Sequence, residues 1–144
     1  PPLLYLGAIL AGGLLDHFLP IPGIAVSSAI LKPLGSVLFL AGVAVNLAAL
    51  MQFRRQKENP IPWTGSEQII AEGIYKITPN PMYLGMTLIA LGTGLFFASY
   101  AIVSLGLLAS IIIDRLVILR EEVYLGQRFG QSYADYKRRV RRWI

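Results

Sequence analysis

The chain has 144 residues, 55% of them hydrophobic, and a mean hydropathy of +0.59, too apolar for an ordinary soluble domain and suited to one integral membrane domain. It contains no cysteine and one histidine, His17, which excludes disulfide frameworks, thiolate metal sites and His-rich metal centres. The net charge of +5 is unevenly placed: apart from Lys32, every basic residue lies in one of three blocks, Arg54 with Arg55 and Lys57, Lys76, and Arg115 through Arg142.

Residues 3–19 are apolar except for Asp16 and His17 at the end. A helix rises ~1.5 Å per residue and needs roughly 20 residues to cross a ~30 Å hydrocarbon layer, so this is a slightly short first spanning helix. It has no basic leader and no small-x-small site before the charged pair, which argues against a signal peptide. Asp16 and His17, beside Pro20 and Pro22, read as a solvated helix end. Residues 21–33 form a loop rich in Pro, Gly and Ser, and residues 34–53 a second span. In that span Gly35, Gly42 and several alanines offer small faces for helix packing, and Asn46 reads as a helix–helix hydrogen-bonding group.

Arg54, Arg55, Gln56 and Lys57 end the span, and under the positive-inside rule this end, with the N-terminus, is cytoplasmic. Residues 58–78 make the longest polar connection, carrying Pro60, Pro62 and Trp63; Trp63, Ile69, Ile70, Ile74 and Tyr75 argue for an ordered loop. Within residues 73–85, GIYKITPNPMYLG, Pro79 and Pro81 bracket Asn80 and break the chain at a membrane edge. Residues 82–119 are then apolar for about twice the length of one crossing, with Ala98, Ser99 and Tyr100 at the centre, which predicts a hairpin of two helices. Gly92 and Gly94 within it read as helix contacts.

The last span continues without Gly or Pro to Leu125. Asp114 and Glu121 are seven residues apart, as are Arg115 and Glu122, so an uninterrupted α-helix places each pair on one face after two turns. Charge there is costly unless paired or used. Residues 127–144 alternate basic residues with Phe129, Tyr133, Tyr136, Val140 and Trp143, a pattern suited to docking on anionic headgroups; no nucleic-acid motif accompanies it. The reading is an all-α membrane bundle of about four transmembrane helices, the last two a hairpin, followed by a cytoplasmic helical segment.

The segment GIYKITPNPMYLG, the hairpin, then REEVYL, FGQSYADY and RRVRRW resemble the membrane superfamily of isoprenylcysteine carboxyl methyltransferases and phospholipid (phosphatidylethanolamine) methyltransferases. The resemblance covers residues 73–143. It implies transfer of a methyl group from S-adenosylmethionine to a lipid-like or membrane-partitioned acceptor, with the cofactor part in residues 73–144 of a single domain. By resemblance, Pro81, Tyr83 and Gly85, with their neighbours Asn80 and Leu84, help form the cofactor pocket, Glu121 and Glu122 lie at the cofactor, and Arg115 is tied to activity. Carboxylates suit the cofactor's amine, and Tyr75, Tyr83 or Tyr133 suit its adenine. Arg115 would orient a carboxylate acceptor, and Glu121 or Glu122 would assist an amine acceptor in losing a proton. Carboxyl methyltransferases of the superfamily usually carry Arg-His before the proline; Pro79-Asn80 here looks more like the phospholipid branch. Two other readings are an NADPH-dependent membrane reductase of the sterol-reductase type and a non-catalytic helical membrane scaffold.

Overall fold

A computed structural model describes residues 1–55 and 71–143, and among these all regular structure is helical. Trp63, Ile69 and Ile70, Lys57 of the first basic block, and the prolines at 60 and 62 lie outside the described residues. Helix α1 is Pro2–Phe18, α2 Ser28–Arg55, α3 Pro81–Phe96 and α4 Tyr100–Ile113; a π-helical turn, Asp114–Ile118, joins α4 to α5, Leu119–Phe129, and α6 is Gln131–Arg139. A 3-10 turn, Gly73–Lys76, precedes α3.

The helix starts follow from local chemistry. α1 and α3 each begin on a proline, whose missing N–H costs nothing in a first turn. The hairpin expected around Ala98 is present. α3 ends at Phe96, Ala98 takes a positive φ of 52°, and the Ser99 hydroxyl accepts from the Ile102 N–H at 2.9 Å to cap α4. The second helix starts earlier than the sequence suggests, at Ser28, and carries Pro33 in its interior. The Ser27 hydroxyl accepts from the Ala29 N–H at 3.3 Å and begins the helix upstream of a proline that reads locally as a breaker.

The four long helices run alternately from one end of the bundle to the other. Loop 19–27 meets the hairpin at the far end, where the Ile24 N–H donates to the Ala98 carbonyl at 2.7 Å. Residues 73–80 and the π-turn lie at the near end. Ser28–Arg55 and the continuous helix Tyr100–Phe129 are long and apolar enough to cross a membrane, and Pro2–Phe18 and Pro81–Phe96 are apolar but shorter.

Packing is inverted relative to a water-soluble core. Leu6, Leu10, Leu14, Val37, Leu40, Leu47, Leu108 and Ile111 are exposed, while many of the residues buried between helices are Gly and Ala. Apolar side chains facing outward and small residues between helices are what a lipid solvent selects, and the chain is a helical membrane protein.

The tightest seam joins α2 to α3. Gly35 faces Gly92 and Gly42 faces Gly85: a Cβ on Gly42 would lie 2.5 Å from the Gly85 carbonyl oxygen, and one on Gly35 2.6 Å from that of Gly92. The glycines are seven residues apart on each antiparallel helix, so they recur on one face. Asn46 is on this seam, but its amide donates to the Gly42 carbonyl of its own helix, at 3.1 Å, while packing over Gly85. Among the described residues it fills a helix contact without making the hydrogen bond to a second helix that its position suggests. Gly92 meets α2, and Gly94 meets Val103 of α4, as expected for helix contacts.

Three hydroxyls tie α1 to the hairpin. Tyr5 contacts Thr87 at 2.9 Å and Ser110 at 3.3 Å, and Thr87 contacts Ser110 at 2.9 Å, so each polar group is satisfied within an apolar interior.

Replacing Gly42 or Gly92 by Ala is expected to cost about 1–3 kcal/mol through overpacking against backbone. Gly7→Ala and Gly13→Ala, where an added Cβ meets nothing within 4 Å, should change little. Thermal unfolding of the four variants in detergent distinguishes the two classes.

Candidate functional site

The near end of the bundle gathers four pieces of chain: residues 73–80, the π-turn with the start of α5, α6, and the tail at 140–143. Gly73 has a φ of +57°, which favours glycine, and opens the 3-10 turn. The Tyr75 ring meets Phe53 edge-on at 5.8 Å and clusters with Ala49, so the turn is seated on the end of α2. Its carbonyl accepts from the Tyr136 hydroxyl at 2.7 Å.

Asn80 and Thr78 are buried just before α3. The Asn80 N–H donates to the Thr78 hydroxyl at 3.1 Å, and both side chains donate to one acceptor, the Arg142 carbonyl, at 3.1 and 3.0 Å. Pro81 is fully buried, Leu84 is half-buried, and Gly85 is occupied by its contact with Asn46 and Gly42. The glycine of the Pro-x-Tyr-x-Gly segment is therefore needed for helix packing. Tyr83 donates its hydroxyl to Glu121 at 3.0 Å, linking α3 to α5 across 38 residues.

The π-turn corrects the expected charge register. In a π-turn the N–H bonds five residues back, as the Leu119 N–H does to the Asp114 carbonyl, and the turn takes up an extra residue. Eight residues then cover what seven cover in a plain α-helix. Asp114 consequently lines up with Glu122, and Arg142 bridges the two: its guanidinium makes paired bonds to Glu122 at 2.7 and 2.8 Å and lies 3.6 Å from Asp114. Glu121, freed from that face, turns to Tyr83. Arg115 points outward with 73% of its side chain exposed, paired with Asp114 at 3.6 Å. It shares a face with neither Glu122 nor Glu121.

The two neighbouring acids therefore differ in environment. Glu122 is held by Arg142 and by Lys137 at 2.6 Å. Among the described residues no cation pairs with Glu121, whose side-chain partner is the Tyr83 hydroxyl. The apolar stretch ends at Leu119, so α5 projects beyond it. Burial pushes the Glu121 carboxyl above the usual glutamate range, against the Tyr83 hydrogen bond, which pulls it down. Burial also works to raise the Glu122 carboxyl, but the hydrogen bonds from Arg142 and Lys137 outweigh it and hold the group below that range.

The aromatic face of the basic segment turns inward, a second correction. Tyr133, Tyr136 and Val140 pack together with Leu125, Phe129 and Ala71, not against headgroups, while Lys137, Arg138, Arg139 and Arg141 remain exposed. A Gly130 φ of +53° makes the turn between α5 and α6 that folds this face back. Burial, with Glu122 and Glu121 nearby, pushes the Tyr133 phenol up to about 12, and burial raises Tyr75 further, so both are neutral hydroxyls near pH 7. The rings of Tyr75 and Tyr133 are covered by protein neighbours. Of the residues expected at the cofactor, Asn80, Pro81, Tyr83 and Glu121 come together at the near end, while Glu122, Tyr75 and Tyr133 lock the surrounding structure. Thr78, Tyr136, Arg142 and Trp143 belong to that structure and are not among the residues expected at the cofactor; Trp143 donates its indole N–H to Asp114 at 3.2 Å.

Because the Glu122 pKa is depressed in the folded state, its stabilisation is present above the unfolded value of roughly 4.3 and is lost as pH falls through the folded value. Glu122→Gln should lower stability at neutral pH by about 1–2 kcal/mol and flatten the acid limb of the thermal midpoint against pH.

Comparison with known proteins adds the following. A family model described as phospholipid methyltransferase matches residues 31–132, well over half of the chain. An uncharacterized protein of Haemophilus influenzae is 41% identical over 64 residues, covering 44% of this chain and 100% of that protein. A protein-S-isoprenylcysteine O-methyltransferase of Schizosaccharomyces pombe is 32% identical over 75 residues, covering 50% of this chain and 30% of that protein. No solved structure matches.

Proposed function

Because the chain belongs to the phospholipid methyltransferase family, we propose that it transfers a methyl group from S-adenosylmethionine to a lipid-like or other membrane-partitioned acceptor. The observation that carries this reading is the Glu121 carboxylate: partly buried, oriented by Tyr83, and in no salt bridge among the described residues. A partly buried carboxylate in that state is stabilised by an incoming ammonium, and S-adenosylmethionine has one. Asn80 and Pro81 lie at the start of the helix that carries Tyr83. Bound there, the cofactor supplies an electrophilic methyl group on a sulfonium.

The protein's own part is binding, orientation and exclusion of water. Tyr83 holds Glu121 in one orientation, and Tyr5, Ile113, Ile118 and Trp143 pack around Tyr83 to keep that side of the site dry. A carboxylate acceptor is already ionised and needs only orientation, which Arg115, exposed at the near end and paired with Asp114, would supply. An amine acceptor must lose a proton, and Glu121, raised by burial, is the better matched base. All four long helices cross the bilayer in this reading. Arg54, Arg55, Lys76 and Arg115 at the near end, against Lys32 alone at the far end, favour a cytoplasmic site with both termini on that side.

Calorimetric titration of the purified protein with S-adenosylhomocysteine tests the reading. Binding is expected, weakened roughly tenfold or more by Glu121→Gln and also weakened by Pro81→Ala. Affinity should fall as pH is lowered through the elevated Glu121 pKa, because the protonated carboxyl no longer attracts a cation, and Glu121→Gln should abolish that dependence. No binding at high micromolar ligand, or tight binding of NADPH in its place, refutes the proposal.

A further inference from the structure

Through Arg142 the tail reaches the segment before α3, the π-turn and α5. Its carbonyl accepts from Thr78 and Asn80 ahead of α3, and its guanidinium takes Glu122 on α5 and Asp114 on the π-turn. The next residue, Trp143, repeats the link to Asp114 and packs against the cluster containing Tyr5 and Tyr83. Glu121 and Glu122 are adjacent on α5, so whatever fixes the rotation of Glu122 fixes where Glu121 points. A π-turn is an irregular stretch of helix, and a planar guanidinium that holds both its first residue and Glu122 pins α5 across it.

We propose that Arg142 is a positioning residue for the methyl-donor site: residues 140–143 form a strap, and Arg142, by holding Asp114 and Glu122 together while its carbonyl holds Thr78 and Asn80, sets Glu121 against Tyr83. The neighbouring arginines do not share this role. Arg138 bonds to Asp135 within α6, and Arg141 is exposed. This inference rests on the reading that Glu121 receives the cationic amine of S-adenosylmethionine.

The test uses the full chain in detergent, titrated with S-adenosylhomocysteine. Arg142→Ala should bind roughly tenfold more weakly and Arg142→Lys, which keeps the charge but loses the paired bonds, roughly threefold, while Arg141→Ala binds as the parent does. The chain has two tryptophans, so in a Trp63→Phe background Trp143 is the only indole and reports on the strap. Its emission should move to the red in Arg142→Ala as the indole leaves Asp114, and saturating S-adenosylhomocysteine should move it back, because coupling between strap and site is reciprocal. A parent chain that binds no S-adenosylhomocysteine overturns the underlying reading and this inference with it. A parent that binds, with Arg142→Ala and Arg142→Lys equally tight, overturns the inference alone. So does Trp143 emission in Arg142→Ala that does not respond to ligand. If Arg142→Ala does not fold, Arg142→Lys decides by the same affinity criterion.

Discussion

The rest of the structure depends on the backbone contact between α2 and α3. In lipid there is no hydrophobic gain from bringing two apolar helices together, so the association must come from close packing. Gly35 against Gly92 and Gly42 against Gly85 let the backbones touch over two turns of each helix. Seven residues beyond Gly42 lies Ala49, fully buried, on which Tyr75 rests; seven before Gly85 lies Thr78, also fully buried. The same stripe that packs the helices thus runs out of the bundle into the segment before α3 and fixes where Pro81 and Tyr83 enter. Gly85 belongs to that stripe, which gives the Pro-x-Tyr-x-Gly segment a packing role alongside any part in binding.

At the near end the constraint changes from shape to charge. Carboxylates and guanidinium groups are tolerated at the edge of an apolar layer when each has a partner, and Asp114, Glu122, Lys137 and Arg142 satisfy one another. Glu121 is the acid left outside that arrangement. The distinction between two adjacent glutamates comes from the extra residue in the π-turn, which aligns Glu122 with Asp114 and turns Glu121 toward α3. π-turns recur at functional sites, and here one separates a structural carboxylate from an available one.

Much of the architecture was legible in the sequence because it depends on local or periodic signals. The apolar runs, the hairpin at Ala98 to Tyr100, the proline start of α3 and the packing role of Gly35, Gly42, Gly92 and Gly94 all follow from composition and spacing. The helix start at Ser28 was not legible, because Pro33 is a breaker by local rule and is tolerated by tertiary context. Nor was the π-turn: Asp114-Arg115-Leu116-Val117-Ile118 carries no Gly or Pro, and the contacts that accompany it come from Arg142 and Trp143, far along the chain. Tyr133 and Tyr136 have the composition of a headgroup-facing stripe; that they face Leu125 and Ala71 depends on the Gly130 turn. Among the five basic residues of 137–142, charge alone does not distinguish Arg142 from Arg141, and only the Asp114–Glu122 alignment does.

The site is also wider than the stretch that the family model covers. Residues 31–132 include α3, the π-turn and both glutamates, yet two of the elements packed around Tyr83 and Glu121 fall outside them. From the start of the chain comes Tyr5, whose ring lies in the cluster with Tyr83 and whose hydroxyl joins Thr87 and Ser110. From the end come Arg142 and Trp143. A membrane bundle of this size has few ways to enclose a polar group at its edge, since its helices are committed to lipid on the outside and to one another on the inside. Closing the near end with chain from both sides of the matched stretch solves that problem: α1 supplies an apolar wall with its one hydroxyl satisfied, and the tail supplies the cation that the structural carboxylates require, which leaves Glu121 outside that ion-pair network among the described residues.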